Sequence, residues 1–576
     1  MMLSRTRYKI CSAEQTIRTI KGILDGLGIT IKEKFFHTNG ATSCRVTITN
    51  DNLESFDIGA NGKGMTKEYA LASAYGELME RLENKALYRS SLKYASANYP
   101  GKKQNGFVYF PDEIVVEQTG LEINTNLQSR FFPNLHNLLK LPLEHKYRSI
   151  YAPFFILGEN EYRPILFPVE YYRAMCGSTG MCAGNCMEEA IVQGINEIVE
   201  RYVLQSLFVN PEPLPNIPIE LFLGSAIYDK LQLLQQQFTV EVKDCSLGRG
   251  LPVAGLKLVD SEGNISFRLG ADFSLITAVE RCFTETFQGS SSQINSFVDY
   301  HISNPPSIQE YQKCLINGSG RFPIAIFQSS NLKSRFPHID FSDYNEELHY
   351  YLDYFSARGY RVYVKDNSFL SFPAYTVYIP GLSDLYYQLC NMEAIVYRSE
   401  QEFCEVDPYL HLLDYPTEKI EELLSDDSRQ YGMEWNTKNP ESRTPLIRFY
   451  FYVILRKYNQ ASKILNSYID RYFKQETPAI LLCLKELTQD LSLGLVTNTN
   501  DLRLRYGDVI INECRQAFSQ DISALSPYLS SCFDCSNCKM NSYCFFEQLV
   551  SFEGRIQARQ RLYYQNKYLN LQNKTP

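Results

Sequence analysis

Residues 61–81 read NGKGMTKEYALASAYGELMER. Asn61-Gly62-Lys63-Gly64 reads as a glycine-rich loop, and Thr66 stands where a helix N-cap belongs, ahead of a helix of about 25 residues. At 100° per residue, Ser73, Glu77 and Glu80 share one polar stripe. Leu71, Ala74, Tyr75, Leu78, Met79 and Leu82 take the opposite side. The segment closes on Glu77-Leu78-Met79-Glu80-Arg81, and the same Glu-X-X-Glu-Arg returns as Glu197-Ile198-Val199-Glu200-Arg201. The second copy falls on a helix expected over residues 187–209, again behind a glycine-punctuated segment, 177–185 (GSTGMCAGN). There Glu189, Gln193, Glu197 and Glu200 form one stripe. A third helix, expected over 275–289, sets Arg281 and Glu285 one turn apart.

Such stripes are ordinarily solvated faces of surface helices. Two glutamates at i and i+3 without a lysine partner repel each other, however, and the pattern recurs behind a glycine-rich segment both times. Two such pairs brought face to face make a carboxylate cluster that calls for cations. Hard divalent ions take carboxylate oxygens, and magnesium combines a few of them with phosphate oxygens. The glycine-rich segments could offer backbone N–H groups to phosphates, with Lys63 nearby. The chain contains no GxxxxGK[ST] loop and no kinase catalytic-loop set, which excludes the standard nucleotide folds.

The 57 basic and 65 acidic residues leave a net charge of −8, against a generic nucleic-acid binder. The chain carries no uncharged apolar run of membrane-spanning length and no apolar signal core behind its basic start, so a cytoplasmic location is expected. Most of the 16 cysteines are then thiols, small buried hydrophobes in the main. A first helix is expected over 10–26. Strands are expected over 44–58, 238–275 and 359–380, and 99–165 reads as irregular. From about 415 helical stretches take over, with 443–472 and 476–492 resembling an antiparallel pair. The expected fold class is α+β, with mixed or antiparallel sheets and long helices over 1–415 and an all-α region over 416–576.

These segments resemble the YcaO family, ATP-using enzymes of peptide-backbone modification. Residues 61–81 are similar to the family's first ATP/magnesium helix, 180–203 (GMCAGNCMEEAIVQGINEIVERYV) to its second, and 280–289 (ERCFTETFQG) to its third. Residues 8–20 (YKICSAEQTIRTI) resemble its N-terminal nucleotide-contacting helix, and 378–387 (YIPGLSDLYY) the strand and loop closing the catalytic domain. The region after 440 resembles the tetratricopeptide-like part of stand-alone members linked to β-methylthiolation of a small-subunit ribosomal protein.

The resemblance implies ATP and Mg2+ as cofactors. It implies magnesium-associated roles for Glu77, Glu80, Glu197 and Glu200, with Glu285 as a further acidic candidate. It implies nucleotide contacts for Lys9, Thr16, Ser73, Asn185, Glu189, Gln193, Arg201 and Arg281. Cys182 departs from the serine usual there and replaces a good donor with a weak one. Thr16 also departs from serine but keeps its hydroxyl. The implied activity is phosphorylation of a backbone amide oxygen, readying the carbon for attack in azoline, thioamide or amidine formation. The implied alternative is an ATP-binding accessory or scaffold factor for ribosomal protein β-methylthiolation. No general base is assigned, so the catalytic residues stay unknown. The implied partners are a peptide or protein substrate, a partner protein for substrate delivery or sulfur transfer, and a second copy in a homodimer, with no membrane and no direct nucleic acid.

One motif stands outside that pattern. Cys532, Cys535, Cys538 and Cys544 form C-x2-C-x2-C-x5-C, where chance would put about 0.4 cysteines in such a window. The quartet suits zinc or an iron–sulfur cluster, as a metal clip for the helical region.

Overall fold

The computed structural model describes residues 9–87, 148–385, 416–425, 443–518 and 552–566, with short breaks, and part of 110–117. The chain divides into two compact units. One comprises Met1–Asn50, Ile58–Arg398 and Glu553–Pro576, the other Asp51–Asp57 and Ser399–Phe552. The change of texture near residue 415 therefore lies inside the second unit, and the last residues group with the first.

The first unit holds three sheets, antiparallel in every described pairing. One has the order β1 (Ile31–Thr38), β2 (Ala41–Ile48), β3 (Gly59–Gly64). The second joins β8 (Asn216–Ile217), β9 (Thr239–Asp244), β10 (Val253–Val259) and β11 (Ile265–Ala271). The third runs β4 (Ile114–Glu117), β5 (Arg148–Ile156), β12 (Tyr363–Asp366), β13 (Ala374–Tyr378), β7 (Met181–Ala183), with β6 (Ile165–Pro168) paired to β5. Helix α1 (Ala13–Asp25) packs on α2 (Lys67–Glu83), which lies on the first sheet. Helix α3 (Met187–Val209) sits between the second and third sheets, and its apolar side chains form the centre of the largest core. Helices α4 (Ala226–Gln235) and α5 (Leu275–Thr286) cover the second sheet, and α6 (Ile308–Asn317) and α7 (Tyr344–Ser356) pack on α3.

The glycine-rich stretch 61–64 is a strand, not a loop. Its register sets Arg45 opposite Asn61 and Ser43 opposite Lys63. Its glycines answer a packing demand: a Cβ on Gly62 or Gly64 would run into the α2 backbone at Ala70 and Ala74 or at Tyr69 and Ala70. Close strand–helix approach, rather than a phosphate cradle, is what those positions require. The helix starts follow ordinary capping. Thr66 Oγ1 accepts from the Tyr69 N–H at 3.3 Å, Cys186 Sγ from Glu189 N–H at 3.3 Å, and Ser274 Oγ from Thr277 N–H at 3.4 Å.

The regular structure among the second unit's described residues is helical: α8 (Thr417–Ser425), α9 (Arg443–Ile454), α10 (Tyr458–Tyr472), α11 (Ala479–Ser492) and α12 (Thr499–Phe518, broken at Gly507, where φ is +80°), each packing on its sequence neighbour. The stretch expected as one helix over 443–472 is two. Arg456 takes φ +54° and the Lys457 N–H donates to Tyr452 O at 2.8 Å, which ends α9. This unit has its own core around Phe449, Leu465, Leu484 and Cys514. Of the ten described free cysteines, eight are buried, as expected of small core hydrophobes. No described helix is long and apolar enough to cross a membrane.

Replacing Gly62 by Ala forces a methyl into the α2 backbone and should cost roughly 2 kcal/mol. Gly22→Ala, within α1 and with nothing in the way of a Cβ, should stabilise by about 0.5 kcal/mol. Denaturant unfolding of the two variants measures both; equal effects would contradict the packing argument.

Candidate functional site

Helices α2, α3 and α5, each on a different surface of the sheets, turn their polar stripes toward one cavity of about 910 Å3. Every residue to which the resemblance assigns a nucleotide or magnesium contact lines it: Lys9 and Thr16 from the N-terminal segment, Ser73, Glu77 and Glu80 from α2, Asn185, Glu189, Gln193, Glu197, Glu200 and Arg201 from the second segment, Arg281 and Glu285 from α5.

One end is a hydrogen-bonded group centred on Glu189. Its Oε2 accepts from the Asn185 backbone N–H at 3.0 Å and from Asn185 Nδ2 at 2.9 Å. Its Oε1 lies 3.5 Å from Lys9 Nζ and accepts from the Tyr344 hydroxyl at 3.4 Å. Thr16 Oγ1 donates to Asn185 Oδ1 at 2.9 Å, tying α1 to the start of α3. The retained threonine hydroxyl is thus in use.

The other end is crowded with charge. Arg81 lies 3.4 Å from Glu77 and 3.5 Å from Glu80. Lys63 forms an ion pair with Glu285. The Gly180 N–H donates to Glu197 Oε2 at 3.4 Å. Arg281 donates to Gln193 Oε1 at 2.7 Å and stands 3.7 Å from Asp272. Burial, then the neighbouring Glu197 and Glu77 charges, push the Glu80 carboxyl up to about 8 despite Arg81. Burial likewise raises Glu197, with Glu200 adding to it against Arg201 and Arg81. Burial pushes the Lys63 ammonium down to about 8, opposed by Glu200 and Glu77. Ionised carboxylates held this way are short of positive charge.

An all-oxygen donor set of this kind suits a hard divalent cation. Among the described residues no three carboxylate, thiol or imidazole groups close around one point. The carboxylates instead surround a space. That suits an ion that keeps water and phosphate oxygens and needs only one or two protein ligands.

Cys182 lies apart. It is fully buried, is not among the lining residues, and its thiol donates to Tyr375 O at 3.5 Å. No histidine is among the lining residues either. Sequence reasoning did not single out Tyr344, Asn61, Arg81 or Arg268 as lining residues. Arg81 carried a signal, as the arginine of the first Glu-X-X-Glu-Arg. Arg268, on a strand with no motif, carried none. Cys532, Cys535, Cys538 and Cys544 lie outside the described residues.

A carboxylate-rich cavity reached by three helices and lined with lysine and arginine suits a polyanion together with a cation. The family comparison agrees. The model of the YcaO cyclodehydratases, described as ATP- and Mg2+-binding, matches residues 61–383, and the chain belongs to this family. It is 30% identical over 357 residues to an uncharacterized protein of Haemophilus influenzae and 28% identical over 353 residues to the ribosomal protein S12 methylthiotransferase accessory factor YcaO of Escherichia coli. Each match covers 57% of this chain, and the chain spans 57% of the length of either relative. Among solved structures, a heterocyclase in complex with substrate and cofactor aligns at TM-score 0.45 and 16% identity, over 66% of this chain and 53% of that one. YcaO from Methanopyrus kandleri bound with AMPPCP and Mg2+ aligns at TM-score 0.41 and 15% identity, over 66% and 93%.

Replacing Glu80 by Gln installs the neutral isostere where burial and neighbouring acids oppose the charge. The metal-free variant should melt about 2 °C above the parent and should lose the added stability that Mg2+ with ATP gives the parent. A lower midpoint without metal would contradict the charge-crowding account.

Proposed function

We propose that the cavity binds ATP with magnesium and that the chain activates a peptide or protein backbone amide by phosphorylating its oxygen. The observation that carries this reading is the meeting on one cavity of all thirteen residues given nucleotide or magnesium roles by the resemblance, a cavity of a size suited to a small-molecule ligand. The group around Glu189, Asn185, Thr16 and Lys9 would hold the nucleotide at one end. Arg201 and Arg281, with Ser73 and Gln193, would hold its phosphates. Glu77, Glu80, Glu197 and Glu200, with Glu285 as a further ligand, would hold the cation, which when bound neutralises phosphate oxygens and leaves the carboxylates charged.

An amide carbon does not release its oxygen, a poor leaving group. The proposed step forms a bond from the amide oxygen to the γ-phosphorus and breaks the bond from that phosphorus to the β,γ-bridging oxygen, releasing ADP. A nucleophile then adds at the carbon, and the phosphorylated oxygen leaves as phosphate. A Cys, Ser or Thr side chain gives an azoline, sulfide a thioamide, an amine an amidine. The chain's own contribution is positioning and charge stabilisation. None of the lining residues is assigned as general base.

The second reading, an ATP-binding accessory factor for β-methylthiolation, is supported by the name of the E. coli relative. In either reading the helical unit, taken as tetratricopeptide-like, would receive the partner that brings substrate or sulfur. The cysteine quartet would clip that region around zinc or an iron–sulfur cluster.

Glu197→Gln with Glu200→Gln separates the two readings. An enzyme loses ATP hydrolysis and modified product together, at least about a hundredfold. Mass spectrometry of a candidate peptide with ATP and Mg2+ reads the product: a loss of about 18 Da marks an azoline and a gain of about 16 Da a thioamide, from the atoms exchanged. Unimpaired methylthiolation by the partner enzyme in the presence of the double variant would favour the accessory reading. For the quartet, metal analysis of protein purified without oxygen should find zinc or iron in the parent and lose it in Cys535→Ser. A metal-free parent would refute the clip.

A further inference from the structure

Arg268 has no place in the three helical motifs, yet its side chain belongs to the cavity wall. It lies on β11 two residues from Gly270, on the same face of the strand. There α5 crosses so closely that a Cβ on Gly270 would come within 3.0 Å of Arg281 Cβ. Arg268 is only 9% exposed. One guanidinium nitrogen donates to the Gly318 carbonyl beyond the end of α6. Its Nε is buried without a hydrogen-bond partner. Burial pushes the guanidinium down to about 10, the neighbouring groups that act on it are the Cys314 thiol and the repelling Arg201, and no carboxylate among the described residues is one of them. Four other cations of the cavity lie in ion pairs: Arg81 with Glu77 and Glu80, Lys63 with Glu285, Lys9 with Glu189, Arg281 with Asp272.

A buried guanidinium without an anion is costly, and a second arginine beside it raises the cost. Such an arrangement is relieved when an oxyanion enters, because the planar fork offers several charge-assisted hydrogen bonds at once. A magnesium ion held by the carboxylates would neutralise the phosphate oxygens beside it, so the oxyanion that would most need Arg268 is one out of their reach.

We propose that Arg268, together with Arg201, receives the oxygens of the terminal phosphoryl group, making Arg268 the residue by which the cavity prefers a nucleoside triphosphate to a diphosphate. This rests on the reading of the cavity as an ATP site. During transfer the same two guanidiniums would follow the phosphoryl group from the β,γ-bridging oxygen to the amide oxygen. Arg268 donates hydrogen bonds throughout and exchanges no proton.

Calorimetric titration of the full chain with Mg2+ and either ADP or the β,γ-methylene analogue of ATP tests this in the parent, Arg268→Gln and Arg268→Lys. In Arg268→Gln the triphosphate analogue should bind about tenfold or more weakly, the loss of one charge-assisted contact, while ADP binds as in the parent. Arg268→Lys, which keeps the charge but not the fork, should retain part of the preference. Unchanged binding of both ligands in Arg268→Gln would overturn the assignment alone. Equal loss of ADP and analogue in both variants would assign Arg268 to holding β11 against Gly318 and overturn it too. A parent that binds neither ligand would refute the ATP reading itself, and the Arg268 proposal with it.

Discussion

The structure depends on the cost of burying like charges side by side. Glu77 and Glu80 on α2 meet Glu197 and Glu200 on α3 inside one cavity, and the fold tolerates this only with counter-charges. Some are built in: Arg81 between the first pair, Arg201 beside the second, Lys63 against Glu285. They do not suffice, since burial and mutual repulsion still hold Glu80 and Glu197 above the ordinary carboxylate range. A divalent cation carrying a polyphosphate would supply the missing positive charge and bring anions for the arginines in the same event. On that reading, part of the affinity for such a ligand would be stored in the site's own electrostatics.

Much of the architecture serves to make that juxtaposition possible. The close approach of β3 to α2 requires Gly62 and Gly64. Placing α3 between two sheets leaves its polar stripe a single outlet, because its remaining faces are committed to the core through Ile191, Ile195, Ile198 and Val199. On the side of Glu189, the Asn185 and Thr16 hydrogen bonds join α1 to the start of α3. The distant segments that form the cavity are therefore coupled by a few specific contacts and by core packing.

The helices were legible because their signals are local. Thr66 caps α2, the apolar periodicity of 70–82 and 190–207 is helical, and the glutamate spacing survives without tertiary information. The convergence of three helices was legible only as the recurrence of an otherwise repulsive pattern. The strand at 59–64 was hidden because glycines that allow close packing look like glycines that make loops. Arg456, an ordinary residue with a left-handed backbone, hid the break between α9 and α10. Arg268 was hidden because its importance lies in what is absent around it, and no sequence pattern encodes a missing carboxylate. The family resemblance covers the cavity-forming segments. The helical unit has a core of its own, and the relatives are spanned only in part.

The most direct test of the central claim is the affinity for ATP with Mg2+ present and with all divalent cations chelated. The account predicts that binding falls by about tenfold or more when the cation is removed, because ATP alone would bring its negative charge into a ring of carboxylates. Equal affinity under the two conditions would contradict it, since the clustered glutamates would then have no cation to hold.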